Sequence, residues 1–247
     1  MNYFRAAKNW GFVASRTAGY GSVALAVDLF ADRVYAARRA SQWCMYKWAG
    51  SCADGLGIRR TLVAPERLAQ APQCVIVSNH LSLLDILVLG GFLDRDYRWV
   101  AKESVFRVPV LGRHLQMAGH IPVYRKEPQL NRALPHRIHE AVGQGASILF
   151  FPEGTRSADG RLKPFKVGAF RTAVDEGLPI LPVVIRGTER LLRKGALDLA
   201  IETSREVEVE VLPLVAPPPS DHGETKVRAE LLKDEVHGQF SRLLGNG

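Results

Sequence analysis

Short β-branched apolar runs alternate along this chain with longer stretches in which apolar residues return at helical spacing. The short runs predict strands at 60–63, 74–77, 97–101, 121–124, 147–151 and 179–185. At 206–212 charged and apolar residues alternate strictly, which predicts a half-exposed edge strand. Between these lie helix-length patterns at 83–89, from Pro109 to Gly119, at 130–142 (weakened by Pro135), at 167–176 and at 224–244. Strand following helix throughout predicts an α/β fold with a mixed, mostly parallel sheet flanked by helices. Two further helices, 9–27 and 29–48, precede the first strand, and the glycine-broken stretch 50–57 ends them. The expected division is an N-terminal helical hairpin at 1–50 and an α/β domain at 51–247, with Pro217, Pro218 and Pro219 as a linker inside the latter.

Charge changes the picture of the hairpin. The first 60 residues carry nine basic side chains against three acidic ones, an excess of six in a chain whose net charge is +8. They also hold Trp10, Trp43 and Trp48, three of the four tryptophans, with Tyr3, Tyr20, Tyr35 and Tyr46. Cations interleaved with amphipathic rings suit an anionic membrane surface. A basic patch also suits nucleic acid, but no nucleic-acid motif accompanies it, so no nucleic-acid partner is expected. No segment reaches the roughly 18 uncharged apolar residues of a spanning helix. The glycine-broken run 17–27 lies between Arg16 and Asp28 and lacks a small-residue cleavage site, so the hairpin is expected to lie on the membrane without crossing it. Cys44, Cys52 and Cys74 are odd in number and have no metal spacing, which points to reduced thiols and a cytosolic face.

Chemistry concentrates where strands end. Cys74-Val75-Ile76-Val77 stops at Ser78-Asn79, and His80 follows at the passage from strand to helix, with Asp85 five residues on. In a continuous helix the two side chains would point ~140° apart. They meet only if His80 sits in the turn before the helix, which makes an imidazole oriented by a carboxylate. The alternative on these residues alone is a turn histidine and a solvated aspartate. A second strand, 147–151, runs into Pro152-Glu153-Gly154-Thr155-Arg156-Ser157. Such a turn offers N–H groups, hydroxyls and a guanidinium to an anionic oxygen cluster, or is a polar turn with Arg156 bonded to Glu153. The chain has no G-x-S-x-G elbow, no G-x-G-x-x-G, no phosphate-cradling lysine loop and no H-E-x-x-H. No serine or cysteine nucleophile is signalled, so His80 is expected to activate a hydroxyl that the substrate brings.

Taken together these stretches resemble the glycerophospholipid acyltransferase family, most closely its bacterial 1-acylglycerol-3-phosphate acyltransferases. Asn79-His80-Leu81-Ser82-Leu83-Leu84-Asp85 looks like the family's N-H-x-x-x-x-D motif. Lys102-Glu103, Pro109, Gly112, Gly119 and Arg125 look like its second block. Phe151–157 matches the third block without departure, and Leu181-Pro182-Val183-Val184-Ile185 is similar to the fourth, where the first position is commonly Val. The resemblance implies fatty acyl transfer from a thioester, acyl carrier protein or coenzyme A, to lysophosphatidic acid at the cytoplasmic face of a bacterial inner membrane. It implies His80 as general base, Asp85 as its orienter, and substrate binding by Lys102, Arg125, Glu153, Gly154, Thr155, Arg156 and Ser157. Arg156, with Lys102 and Arg125, would hold the acceptor's phosphate, and Glu153 would position Arg156 or the glycerol. Backbone N–H groups after His80 are expected to hold the oxyanion. No metal or cofactor is implied. Other acceptors (glycerol 3-phosphate, another lysophospholipid, a lyso-ornithine lipid) fit the same chemistry, and a non-catalytic acyl-chain-binding membrane protein is the reading from another class.

Overall fold

The structure is a computed structural model that describes residues 3–30, 34–157, 159–196, 198–199 and 204–245, with the side chains of 28–38 left aside. Asp28, Asp32, Arg33, Tyr35 and Arg38, counted above in the charge and aromatics of the first quarter, therefore lie outside the described side chains. Two long helices, α1 (Tyr3–Phe30) and α2 (Val34–Gly55), pack as a hairpin. There follow β1 (Arg59–Val63), α3 (Glu66–Ala69), β2 (Val75–Ser78), α4 (Asp85–Gly90), β3 (Tyr97–Lys102), α5 (Leu111–Met117), β4 (Ile121–Val123) and α6 (Leu134–Gly143). The chain continues through β5 (Ser147–Phe150), α7 (Gly168–Glu176), β6 (Ile180–Arg186), α8 (Thr188–Leu191), β7 (Glu206–Val211) and α9 (Thr225–Leu244).

The seven strands form one sheet in the order β1-β7-β6-β2-β5-β3-β4. Every neighbouring pair is parallel except β6–β7. β2 lies between β5 and β6, with Val75 level with Ile148 and Ile180. A central parallel strand is covered on both faces, which is why its sequence is an unbroken apolar run rather than an alternation. One face is covered by α2, α4 and α5 through Met45, Trp48, Cys52, Leu84, Val88 and Leu115. The other is covered by α7 and α9 through Phe170, Val236 and Phe240. α6 covers β4 and β5 through Ile138 and Ala141. The carboxyl ends of β2, β3, β4, β5 and β6 all open on one edge, where open α/β sheets hold ligands.

Three expectations need correction. The strand at 206–212 is not at the edge, because β1 pairs with β7 and takes that place. Its alternation reports one buried face, and the glutamates of the other face are paired: Glu206 with Arg59 at 3.0 Å, and Glu208 and Glu210 with Arg186 at 2.5 and 2.9 Å. Gly50 does not end the second helix, which runs on to Gly55 because Cys52 and Ala53 are fully buried against the body. The sixth helix begins at Leu134, and Pro135 sits in its first turn, where a missing N–H costs nothing.

Candidate active site

The loop from β2 to α4 is held from four sides. The Asn79 amide, fully buried, donates to the Ile185 carbonyl (2.9 Å) and accepts the Ile185 N–H (2.8 Å), which locks the loop to β6. Ser82 Oγ donates to the Leu192 carbonyl at 2.8 Å. The His80 N–H donates to Glu153 Oε1 at 2.7 Å, and the Ser157 N–H donates to the His80 carbonyl at 2.8 Å. The turn after β5 thus grips the histidine's backbone on both sides.

Asp85 is the first residue of α4 and has no solvent exposure. Its Oδ2 lies 2.8 Å from His80 Nδ1, and the same oxygen accepts the N–H groups of Leu81 (2.7 Å) and Ser82 (2.9 Å). Its Oδ1 accepts the Thr188 hydroxyl at 2.5 Å. A carboxylate only accepts, so His80 Nδ1 carries the ring proton toward it and Nε2 is left with a lone pair. Nε2 has no partner among the described residues. The ring stacks on Phe151, with centroids 4.2 Å apart, and Phe151 meets Trp99 edge-on. This is an imidazole base fixed in tautomer and plane. The expected oxyanion donors are spent: Asp85 takes the Leu81 and Ser82 N–H groups, and Glu153 takes that of His80. Thr188, at the start of α8, is fully buried and was missed by the sequence reading. Its signal was its place just past the carboxyl end of a strand.

The turn after β5 also divides the expected binding residues. Glu153 and Ser157 are buried and are committed to the His80 loop, Glu153 through a second bond from the Lys163 N–H (3.2 Å). No bond joins Glu153 to Arg156 among the described residues. Burial pushes the Glu153 carboxyl up to about 7, against the lowering effect of its two N–H donors. Gly154 supplies φ +71°, and a Cβ there would press on the Lys166 side chain. Thr155 is exposed and Arg156 half-buried. The Arg156 carbonyl accepts from Lys163 Nζ (2.9 Å) and Lys194 Nζ (3.2 Å), so two further cations stand at this turn. Lys102 ends β3 and Arg125 follows β4; by strand order they lie two and three strands from β2, ~10 and ~14 Å along the same edge. On the other side of the dyad, an apolar cavity of about 510 Å³ lies between the hairpin and the body. Its walls include Trp10, Trp48, Leu84, Leu87, Trp99 and Leu111, and exposed Leu83, Val108 and Val110 form an apolar rim. Trp10 and Trp48 therefore face inward, Trp48 with its Nε1–H on Thr17 Oγ1 at 3.0 Å. Of the three tryptophans assigned to a headgroup layer, Trp43 alone is largely exposed, at 50%.

The model of one protein family, Acyltransferase, matches residues 59–186. This chain belongs to the acyltransferase family. A chloroplast 1-acyl-sn-glycerol-3-phosphate acyltransferase of Brassica napus is 44% identical over 123 residues, which cover 50% of this chain and 36% of that protein. The 1-acyl-sn-glycerol-3-phosphate acyltransferase of Salmonella typhimurium is 29% identical over 184 residues, 72% of this chain and 71% of that one. The chain thus matches only about a third of the length of its chloroplast relatives. The crystal structure of the 1-acyl-sn-glycerophosphate acyltransferase PlsC from Thermotoga maritima superposes with a TM-score of 0.76, covering 97% of this chain and 96% of that one at 24% identity. It bears out the mostly parallel, helix-flanked sheet with its N-terminal helices. The acyltransferase match holds His80, Asp85, Glu153 and Arg156, and ends two residues short of Thr188.

Proposed function

We propose that this acyltransferase moves a fatty acyl group from a thioester to the free hydroxyl of 1-acylglycerol 3-phosphate, giving phosphatidic acid. The observation that carries the reading is the His80–Asp85 pair at 2.8 Å, standing where an apolar cavity meets a turn bearing Arg156, Lys163 and Lys194. The substrate has the same two ends, a fatty chain and a phosphate. His80 Nε2 removes the acceptor's hydroxyl proton as the oxygen attacks the thioester carbon. Asp85 stabilises the imidazolium that forms. Collapse of the tetrahedral intermediate breaks the C–S bond, and the thiolate takes the proton back from His80. A thiol of reference pKa ~8.5 leaves with little acid help. Arg156 meets the acceptor's phosphate from the nearer turn, with Lys102 and Arg125 further along the same edge. Buried Glu153 and Ser157 hold the His80 loop in place for this step.

The hairpin brings this site to the surface where such lipids lie. Tyr3 and Phe4 at one end of α1 and Trp43 on α2 are exposed apolar groups, and Lys47 stands over the rings of Trp43 and Tyr46. Among the described residues no helix is long and apolar enough to cross a membrane. Interfacial rings with a basic surround fit a monotopic attachment to anionic lipid, at the cytoplasmic face of a bacterial inner membrane.

The test is a product assay with labelled acyl thioester and a panel of lyso-acceptors. Labelled phosphatidic acid from lysophosphatidic acid is expected. Label appearing instead on glycerol 3-phosphate or a phosphate-free lysolipid would move the acceptor, and acyl binding without any product would make the chain a binding protein. Deleting the hairpin is a poor probe of attachment, since α2 builds the core. Tyr3→Ser, Phe4→Ser and Trp43→Ser together should weaken sedimentation with anionic vesicles at unchanged helical content; undiminished binding would show that other residues hold the membrane.

A further inference from the structure

A second histidine opens onto a cavity that the reaction above leaves unused. Wrapped round the open edge of β4, between α5 and α6, is a polar cavity of about 550 Å³. His120, 5% exposed, forms part of its wall. The Trp99 N–H donates to His120 Nδ1 at 2.9 Å, so the ring proton sits on Nε2, which has no hydrogen-bond partner among the described residues. Burial holds this ring neutral, with its pKa pushed down to about 3, so it offers a donor at any working pH. Glu103 Oε2 is likewise buried and unpartnered at the same cavity. A buried donor and a buried acceptor left open on one cavity are costly unless a ligand or solvent meets them. Arg98 lies at the cavity, itself 1% exposed, and Arg107 and Arg137 stand at its rim.

The cavity's position relates it to the dyad. The single turn at Glu103–Arg107 forms the wall between this cavity and the apolar one: Val105 faces the apolar space, while Glu103, Phe106 and Arg107 face the polar space. A smaller polar pocket of about 270 Å³ shares Glu103, Arg107 and Tyr124 with it and ends at Lys102, on the edge that carries His80. From β2 to β4 is three strand spacings, ~14 Å, and from Lys102 back to Arg98 is ~13 Å along β3, so the trench runs ~20 Å from the dyad.

Resting on the acyl-transfer reading, the geometry points to this trench as the seat of the donor's nucleotide end: a coenzyme A thioester laid over the Glu103–Arg107 turn. Its acyl chain would lie in the apolar cavity, its thioester at His80, its pantetheine arm past Lys102 and its phosphorylated adenosine beside Arg107, Arg137 and His120. A ~20 Å reach is that of an extended pantetheine arm. The mixture of guanidinium, carboxylate and neutral donors suits an object that carries phosphates together with amine and hydroxyl groups. A recessed cavity lined by buried polar groups suits a small molecule better than the broad acidic face of a carrier protein, which would need an exposed basic patch.

The probe is adenosine 3′,5′-bisphosphate, titrated calorimetrically into the intact protein. Saturable binding is expected, weakened about tenfold or more by Arg107→Ala and by Arg137→Ala, since each removes a charge-assisted contact. Both side chains are exposed, so the variants should fold. In turnover the same substitutions should raise KM for acyl-coenzyme A by a similar factor, with kcat and the KM for the lysophospholipid moved far less. Absence of binding, binding indifferent to both substitutions, or an equal rise in both KM values would overturn the assignment. The titration needs no turnover, so it decides even if no acceptor is acylated. Transfer from acyl carrier protein without nucleotide binding would refute the trench while leaving the reaction intact.

Discussion

Two histidines of this chain are each held at Nδ1, and the holder makes opposite groups of them. His80 gives its Nδ1 proton to a carboxylate, so Nε2 is a base. His120 receives a backbone N–H at Nδ1, so Nε2 is a donor and burial keeps it one. Residue type and exposure do not separate them; the polarity of one neighbouring atom does. The surroundings differ in a second way. Around His80 the loop's polar groups are matched, with three N–H groups on Asp85 Oδ2 and a hydroxyl on Oδ1. Around His120 buried polar atoms stay open, which is the mark of a place that awaits something.

If the first histidine is the base, His80→Ala should cost the most, roughly 10²–10⁴ in kcat/KM. The fold should survive, because Glu153 and Ser157 hold the loop through His80's backbone; thermal unfolding beside the rate measurement checks both. A rate near wild type in folded protein would abolish the contrast between the two rings. Asp85→Asn sharpens it next. An asparagine must turn its carbonyl oxygen to the three N–H groups, so the His80 tautomer survives and only the charge that stabilises the imidazolium is lost. A smaller fall in kcat than for His80→Ala is expected, with little change in the unfolding midpoint. Asp85→Ala should instead lower the midpoint, since two buried N–H groups lose their acceptor at about 1–3 kcal/mol each. A collapse of stability in the Asn variant would show that the charge holds the loop as well as serving the reaction.

Thr188→Val, close in shape, removes the hydroxyl from Asp85 Oδ1. About a tenfold loss in kcat is expected, since each 1.4 kcal/mol is tenfold and bonds to charged groups contribute that much. KM should stay in place and Thr188→Ser should restore the rate; an unchanged kcat would leave Thr188 as packing alone. The smallest effect belongs to Glu153. Its folded pKa is raised to about 7, above the ordinary carboxylate value, so the folded state holds the proton more tightly than the unfolded chain. That stability is fully present below the unfolded value of ~4.3 and is lost as pH rises toward 7. The unfolding midpoint should fall by roughly a few degrees between pH 5 and pH 7.5, more than in Glu153→Gln. A midpoint with the same pH dependence in both proteins would place the titration elsewhere.

The catalytic pair was legible because its parts are local: a β-branched strand, a turn and a carboxylate five residues on. The strand ending at Glu153 was legible for the same reason. Thr188 was not, since it reaches Asp85 from 103 residues away through the adjacency of β6 and β2, which periodicity does not encode. Nor was the fate of the Leu81 and Ser82 N–H groups, which depends on how one carboxylate turns. The place of β7 escaped for a related reason: alternation shows which face is wet but says nothing of which strand lies beside it.

That place also sets an order of events in folding. β1 pairs with β7 alone, Arg59 against Glu206, so the sheet's first strand has no partner until the last described strand has been made. Contacts so distant in sequence form late and slowly. During synthesis the hairpin emerges first, with the buried face of Met45, Cys52, Ala53 and Leu56 still uncovered, and stays so until the body assembles against it. For that interval the chain is an aggregation hazard, and a variant that delays β7 should show it as lost yield rather than as lost activity per folded molecule.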